Sequence, residues 1–463
     1  MSYPRFIFLS LLPLVLSQFS DATALALEPG AKPNVLFIPV DDMNDWVGHL
    51  GGHPQSVTPN LDRLAKRGVT FTSAHCAAPA CNPSRVALLT GLRPSSTGVY
   101  HNPHPWRPVL PDVVTLPRHF MNHGYFVAGF GKVYHGRYPD PTDWHIWGGS
   151  TKNKKKHRLL NDGGVGGIRF GALDNDDEDM PDHVNVTRAI EQINRDHDKP
   201  WFIACGLHKP HMAFSVPKKY FDKFPLDEIT LPDVPEDDLS DVPVAGRKMA
   251  KPRGDHARII KSGRWKEAVQ AYLATIHFAD AQVGRLIDAL DASPDRDNTI
   301  VCLWSDHGWH LGEKEHWRKF ALWEEATKAP MMWVVPGVTR PDGVCSQPVD
   351  YMNIYPTLAD LCGLPAGEQL EGVSMRQLLA EPNTTWDRPA LTTHGRNNHA
   401  VRSQHFRYIR YADGSAELYD HRDDPMEWKN LAENPKQARI QREMAKWFPK
   451  TNVPEAPRDR KKR

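Results

Sequence analysis

The 463-residue sequence carries almost no net charge, with 57 Lys and Arg against 56 Asp and Glu. A protein that coats a polyanion needs a basic excess, so nucleic acid is not an expected partner. Long apolar runs are missing too. The stretch Phe6 to Leu16 is broken by Pro13 and is shorter than the about 20 residues that cross a bilayer, so no membrane span is expected. Arg5 precedes this run and Ala24-Leu25-Ala26 follows it, the order of an export signal. Residues 1–26 are therefore expected to be removed during export to a periplasmic or extracellular compartment, lysosomal in a eukaryote. Cysteine is scarce, at six residues. Cys205 and Cys302 lie inside apolar runs, where a thiol behaves as a small hydrophobe, so few disulfides are expected, one of them among Cys76, Cys345 and Cys362. No internal repeat, Gly-rich phosphate loop or Ser-His-Asp order is present.

What the chain does have is a series of short apolar runs that end in polar residues. Asn34 to Ile38 leads through Pro39-Val40 to Asp41-Asp42, and Phe126 to Phe130 empties into Gly131-Lys132-Val133-Tyr134-His135. Trp201 to Leu207 stops at His208-Lys209-Pro210-His211, and Thr299 to Trp304 at Ser305-Asp306-His307. Unbroken apolar runs read as buried parallel strands, whose carboxyl ends carry ligands in open α/β sheets. Helical patterns intervene at Thr58 to Gly68, Leu116 to His123, His183 to Arg195, Trp265 to Leu290 and Asn353 to Cys362. The expected fold is α/β, a large mostly parallel sheet sandwiched by helices over residues 27–380. A smaller C-terminal α+β subdomain on an antiparallel sheet is expected over 381–463, with alternating segments at Ala400 to Tyr411 and Glu417 to Asp420, a helix from Gln437 to Trp447, and a disordered basic tail. Residues 150–181 read as an exposed excursion and Phe214 to Asp255 as irregular surface.

The chemistry centres on Cys81-Asn82-Pro83-Ser84-Arg85, followed by Thr90-Gly91. Pro83 suits the first turn of a helix and Gly91 its end, which puts Cys81 at a helix N-terminus where backbone N–H groups and the dipole favour an anion. Arg85, one turn on, is expected to aim its planar fork at the same guest. Asp41, Asp42 and Asp306 suit a hard divalent cation, calcium by choice, rather than zinc. Cleaving an oxyanion ester also takes cations for the spreading negative charge and a proton for the leaving oxygen. Lys132 and Lys319 are candidates for the first task, and His135 and His208 for proton transfer.

The string C-x-P-S-R-x-x-x-x-T-G resembles the signature of the type I sulfatases of the alkaline-phosphatase-like superfamily. So do N-V-L-F-I-P-V-D-D, T-P-N-L-D-R-L-A-K-R-G, G-K-V-Y-H, G-L-H-K-P-H, S-D-H-G-W-H-L-G-E-K-E-H-W-R-K and E-L-Y-D-H-R-D-D-P-M-E-W-K-N-L, spread over nearly the whole mature chain. Within the family the nearest likeness is to the iduronate-2-sulfatase branch and its bacterial relatives. The resemblance implies that a maturation enzyme oxidises Cys81 to Cα-formylglycine, whose hydrate attacks sulfur. It implies that Asp41, Asp42, Asp306 and His307, with the modified Cys81, surround one calcium ion. Arg85 and Lys132 would orient the diol, His135 would take its proton, and His208 and Lys319 would meet the sulfate and leaving group. Many sulfatases carry Asn where this chain has His307, and imidazole is a soft ligand for calcium. Trp309 and His310 are expected to line the substrate mouth.

The expected activity is hydrolysis of sulfate esters on a sulfated sugar, derived from a polysaccharide. The competing readings are a phosphonate or phosphodiester hydrolase of the same superfamily and an inactive glycan-binding homologue.

Overall fold

A computed structural model describes Met1 and residues 32–151, 158–161 and 163–459. The expected export signal and the end of the basic tail lie outside the described residues. Eight strands form the main sheet: β1 (Asn34–Asp41), β2 (Val69–Phe71), β3 (Phe126–Gly131), β4 (Ile146–Gly149), β5 (Trp201–Pro210), β6 (Thr299–Ser305), β7 (Met331–Val334) and β8 (Gly343–Cys345). Their spatial order is β8-β2-β7-β6-β1-β5-β3-β4. All pairs are parallel except those of β7, which runs antiparallel to β2 and β6. The four strands whose ends looked polar in sequence, β6, β1, β5 and β3, are therefore consecutive neighbours with their carboxyl ends on one edge.

Every residue of β1 is buried, and its side chains divide between two cores. Leu36, Ile38 and Val40 face one core and Val35 and Phe37 the other, as the two-residue period of a strand demands. The first core is closed by α1 (Pro59–Ala65), α4 (Pro181–Ile193) and the 28-residue α5 (Trp265–Ala292), the second by α2 (Cys81–Thr90), α3 (Leu116–Asn122) and α6 (Ile354–Leu361). Phe37 is representative, its ring centroid lying 5.5 Å from that of Phe202 and 5.6 Å from that of Trp304. Truncating such a side chain to Ala costs about 3–5 kcal/mol.

The C-terminal part holds a four-stranded antiparallel sheet in sequential order, β9 (Ala390–Thr393), β10 (His399–Arg402), β11 (Phe406–Arg410) and β12 (Ala416–Asp420), followed by α7 (Ala438–Ala445). The Ala400 to Tyr411 segment thus spans two strands, because the chain reverses at Ser403 to His405, where Ser403 N–H donates to Phe406 O.

Three expectations are corrected. All six cysteines are free and buried, and Cys76, Cys345 and Cys362 are packed into the second core as small hydrophobes instead of pairing. Residues 214–255 are not irregular surface throughout. Phe214, Val216, Tyr220, Phe221, Phe224 and Ile229 are buried in the first core, and Lys218–Phe221 and Val244–Ala250 are helical. The described part of 150–181 is anchored likewise, with Ile168, Phe170, Leu173 and Met180 buried and Phe170 and Leu173 bridged to Phe214 and Pro217.

Candidate active site

At the carboxyl edge, β1 delivers Asp41 and Asp42, β3 runs into Lys132, β5 into His208 and His211, and β6 into Asp306 and His307. Asp42 has φ +65, a left-handed conformation that non-glycine residues adopt rarely. Its own contacts hold it there. The Asp42 N–H donates to Asp306 Oδ1 at 3.0 Å, and the Tyr272 hydroxyl of α5 donates to the Asp42 carbonyl at 2.7 Å. At the β3 end, Gly131 has φ +70 and a Cβ there would lie 2.0 Å from Gly206 O. Only glycine lets the two strands approach this closely.

Helix α2 starts at Cys81 and ends at Gly91 in the left-handed conformation, as its sequence demanded. It projects Cys81 into the pit. The Cys81 Sγ lies 3.0 Å from Lys319 Nζ, 3.4 Å from His307 Nε2 and 3.8 Å from Asp42 Oδ1. Burial pushes the thiol well above its usual pKa, Lys319 pulls against that, and Asp41, Asp306 and Asp42 add to the rise. A thiol held neutral is a poor nucleophile.

Arg85 departs from its expected place. Its side chain is buried and all five donors are spent: Nε on Asp306 Oδ2 at 2.9 Å, Nη2 on Asp41 Oδ1 at 3.3 Å and Val40 O at 3.2 Å, and Nη1 on the carbonyls of Lys132 and Val133. It ties the ends of β1, β3 and β6 together and offers no free fork to an anion.

Three carboxylates face three permanent cations in the pit. Lys132 Nζ donates to Asp41 Oδ2 at 2.6 Å and Lys319 Nζ to Asp42 Oδ1 at 2.5 Å. Burial alone would raise the Asp41 carboxyl, but Lys132, then His211, Arg85 and Lys319, hold it well below the usual range. Asp306 moves the other way, lifted by burial against the pull of Arg85 and His307. His135 falls to about 3 through burial and the nearby Lys132. His208 is also pushed down, by desolvation first and then by His211 and Lys132, although 43% of its side chain still meets solvent.

Ligand atoms of Asp41, Asp42, Cys81, Asp306 and His307 all lie within 4.8 Å of one another. Two observations fit this set to a cation. Asp42 Oδ2 is buried with no hydrogen-bond partner among the described residues, a costly state for a carboxylate oxygen unless something positive meets it. His307 Nδ1–H donates to the Gly308 carbonyl at 2.9 Å, which leaves the Nε2 lone pair facing Asp42 Oδ1 at 3.3 Å and Asp306 Oδ1 at 3.4 Å. Acceptors turned toward one another need a proton or a metal between them, and a set dominated by carboxylate oxygens suits a hard divalent ion.

Trp309 and His310 do not line an open mouth. Trp309 is buried against Phe214, and His310 is fully buried, with Nδ1 donating to Glu313 O and its ring beside His316. The residue after a strand end is drawn inward here because the 310–328 segment folds back over the pit, bringing Lys319 to Cys81. Sequence reasoning missed His211, whose Nδ1–H donates to Met212 O at 2.6 Å and whose Nε2 stands 3.8 Å from Asp42 Oδ2. The repeated His in H-K-P-H was the available signal. It also missed Tyr272 and Asp182, the latter accepting the His208 and Lys209 N–H groups at 2.8 Å each; both sit within helices and carry no local mark.

The family model described as Sulfatase matches residues 33–364, and the one described as N-sulphoglucosamine sulphohydrolase, C-terminal, matches 312–453. A Formosa agariphila protein named Sulfatase is 40% identical over 448 residues, covering 91% of this chain and 87% of its own. Human iduronate 2-sulfatase is 31% identical over 408 residues, covering 76% and 74%. A solved structure of a protein with its substrate D-glucosamine-2-N,6-O-disulfate superimposes with a TM-score of 0.74 at 21% identity, covering 90% of this chain and 96% of that one. No helix among the described residues is long and apolar enough to cross a membrane.

Proposed function

The chain belongs to the sulfatase family of sulfuric ester hydrolases, and from that premise we propose that it removes sulfate from an O-sulfated sugar derived from a polysaccharide. The observation that carries the reading is the pit itself, where Cys81 at a helix start meets Lys319, Lys132 and the Asp41/Asp42/Asp306 carboxylates. The iduronate sulfatase relative and the neighbour bound to a disulfated glucosamine support a sugar as the alcohol part.

In this reading Asp41, Asp42, Asp306 and His307 hold a calcium ion, which when bound supplies positive charge for the sulfate oxygens. Were Cys81 oxidised to Cα-formylglycine by a maturation enzyme and its oxidant, the hydrated aldehyde would supply the nucleophilic hydroxyl and a second one for releasing sulfate. The remaining steps belong to the chain's own side chains. Lys319 and Lys132 change partners from carboxylate to sulfate oxygens and stabilise the charge that develops there. His135, kept neutral, takes a proton from the nucleophile side. His208 gives one to the departing sugar oxygen; it is neutral in the free pit, so the negative charge of the arriving ester is what lets it gain that proton. Arg85 keeps three strand ends in register for these groups. Export through residues 1–26 and a division near residue 380 into catalytic and C-terminal units complete the reading.

The test compares aryl sulfate, aryl phosphonate and a panel of O-sulfated mono- and disaccharides on the matured protein, with mass spectrometry of the Cys81 peptide. Turnover of sulfate esters that disappears in Cys81→Ala is expected. Faster phosphonate hydrolysis would replace this function with that of a phosphonate hydrolase, and a protein that binds the sugars without turnover would be a glycan-binding homologue.

A further inference from the structure

Beside the pit lysine Lys319, rings from three separate segments adjoin one another. We propose that Phe320, His394 and His101 form a saccharide subsite beside the sulfate pit, in which the Phe320 ring takes the C–H face of the sulfated sugar and His394 hydrogen-bonds one of its hydroxyls. The inference rests on the reading of the pit as a sulfatase site acting on a sugar.

Phe320 follows the pit lysine directly. Its ring centroid lies 5.8 Å from Lys319 Nζ, which itself stands 3.0 Å from Cys81 Sγ. The backbone is fixed in an unusual state, with φ +74 at Phe320 and +83 at Arg318, and the Phe320 N–H donates to Pro79 O at 3.1 Å, two residues before Cys81. Left-handed backbone at non-glycine residues persists where the surroundings hold it and where it aims a side chain. The half-buried ring is aimed at His394, 6.0 Å away, and His394 meets His101 edge-on at 5.7 Å. His101 is tied back to the catalytic helix, because Asn82 Nδ2 donates to its carbonyl at 3.3 Å. A continuous aromatic wall therefore runs outward from Cys81. Its middle member comes from the turn between β9 and β10 of the C-terminal sheet, which gives that sheet a part in the site.

The free hydrogen-bonding capacity on this wall belongs to His394. Its Nδ1 is buried without a partner, and Nε2 makes no hydrogen bond with any described residue. Burial, with His101, His316 and Lys251 adding, lowers this imidazole to about 3, so it meets a ligand as a neutral ring. A neutral imidazole edge beside a phenyl face suits a sugar, which offers hydroxyls and an apolar C–H face together, better than a second anionic group. The sulfate in the pit and the hydroxyl at His394 would then fix the ring at two points.

The experiment uses the matured full-length enzyme with 4-nitrophenyl sulfate, which has no hydroxyls, and with whichever O-sulfated disaccharide of the panel it turns over fastest. His394→Ala is expected to raise KM for the disaccharide about tenfold, the effect of one hydrogen bond in a closed site, with kcat little changed. Its kcat/KM for 4-nitrophenyl sulfate should move less than about twofold. His394→Gln, which restores an amide near Nε2, should recover most of the disaccharide KM, and Phe320→Leu should raise it while keeping the fold. Equal losses on both substrates, or an unchanged disaccharide KM, would overturn the subsite and leave the sulfatase reading standing. If the wild-type enzyme cleaves the aryl sulfate and no saccharide, the sugar reading and this inference fall together.

Discussion

Arg407 is fully buried on β11, yet it holds the segment that carries Lys319. Its Nε donates to Glu427 Oε1 at 2.5 Å, Nη1 to Leu322 O at 3.1 Å, and Nη2 to Glu324 Oε2. In Arg407→Met, Glu427 keeps His421 and the Glu324 N–H, each at 2.9 Å, and Glu324 keeps Arg402 at 3.3 Å, so Glu427 is left without a permanent cation. Removing one partner of a buried ion pair costs about 3–5 kcal/mol, against about 0–1 kcal/mol for an exposed pair. With an unfolding entropy of about 2.1 cal/mol/K per residue, a chain of 463 residues loses roughly 1 °C of Tm per kcal/mol. Calorimetry at pH 7 should thus show Tm lowered by about 3–5 °C. A second arm identifies the cause. The double variant Arg407→Met, Glu427→Gln keeps the Glu324–Arg402 pair, leaves no carboxylate short of positive charge and should recover part of the loss. A single variant within about 1 °C of wild type would place the network among exposed pairs and refute the reasoning. A double variant less stable than the single one would show that stranded charge is not what is lost.

Cys81→Ala should lose turnover to background with Tm unchanged, because the side chain supplies chemistry and little core volume; residual sulfate release above background would contradict this. Chelation is expected to lower both activity and Tm, and Asp42→Asn to abolish the Tm rise on adding calcium back, since it removes the buried oxygen that has no other partner. Asp280, raised to about 6 chiefly by burial, accepts the Asn60 and Leu61 N–H groups at the start of α1. Its carboxyl binds the proton more tightly folded than unfolded, so its contribution falls as pH rises from about 4 to about 6, by about 3 kcal/mol in all. Relative to wild type, Asp280→Asn should therefore gain stability across that window. A Tm difference that stays constant from pH 4 to pH 7 would rule this out.

The sequence by itself determined the elements and their polarity. Apolar runs such as Asn34 to Ile38 and Thr299 to Trp304 cannot face water, so they become buried strands, and the polar residues after them fall at strand ends whatever the topology. Pro83 and Gly91 likewise mark the two ends of the Cys81 helix through local backbone chemistry. The strand order β6-β1-β5-β3, which turns four separate ends into one site, depends on pairings between residues as far apart as Val40 and Ser305, and no local signal encodes them. The same holds for the fate of individual side chains. Arg85 spends its fork on strand ends because the carbonyls and carboxylates of three of them converge on it, and Trp309 and His310 are buried because the 310–328 segment folds inward. Phe214 to Ile229 read as surface by composition but joins the first core, because α5 and the sheet leave a face that needs covering. Burial and partnership depend on what packs against a residue, so tertiary structure alone decided them.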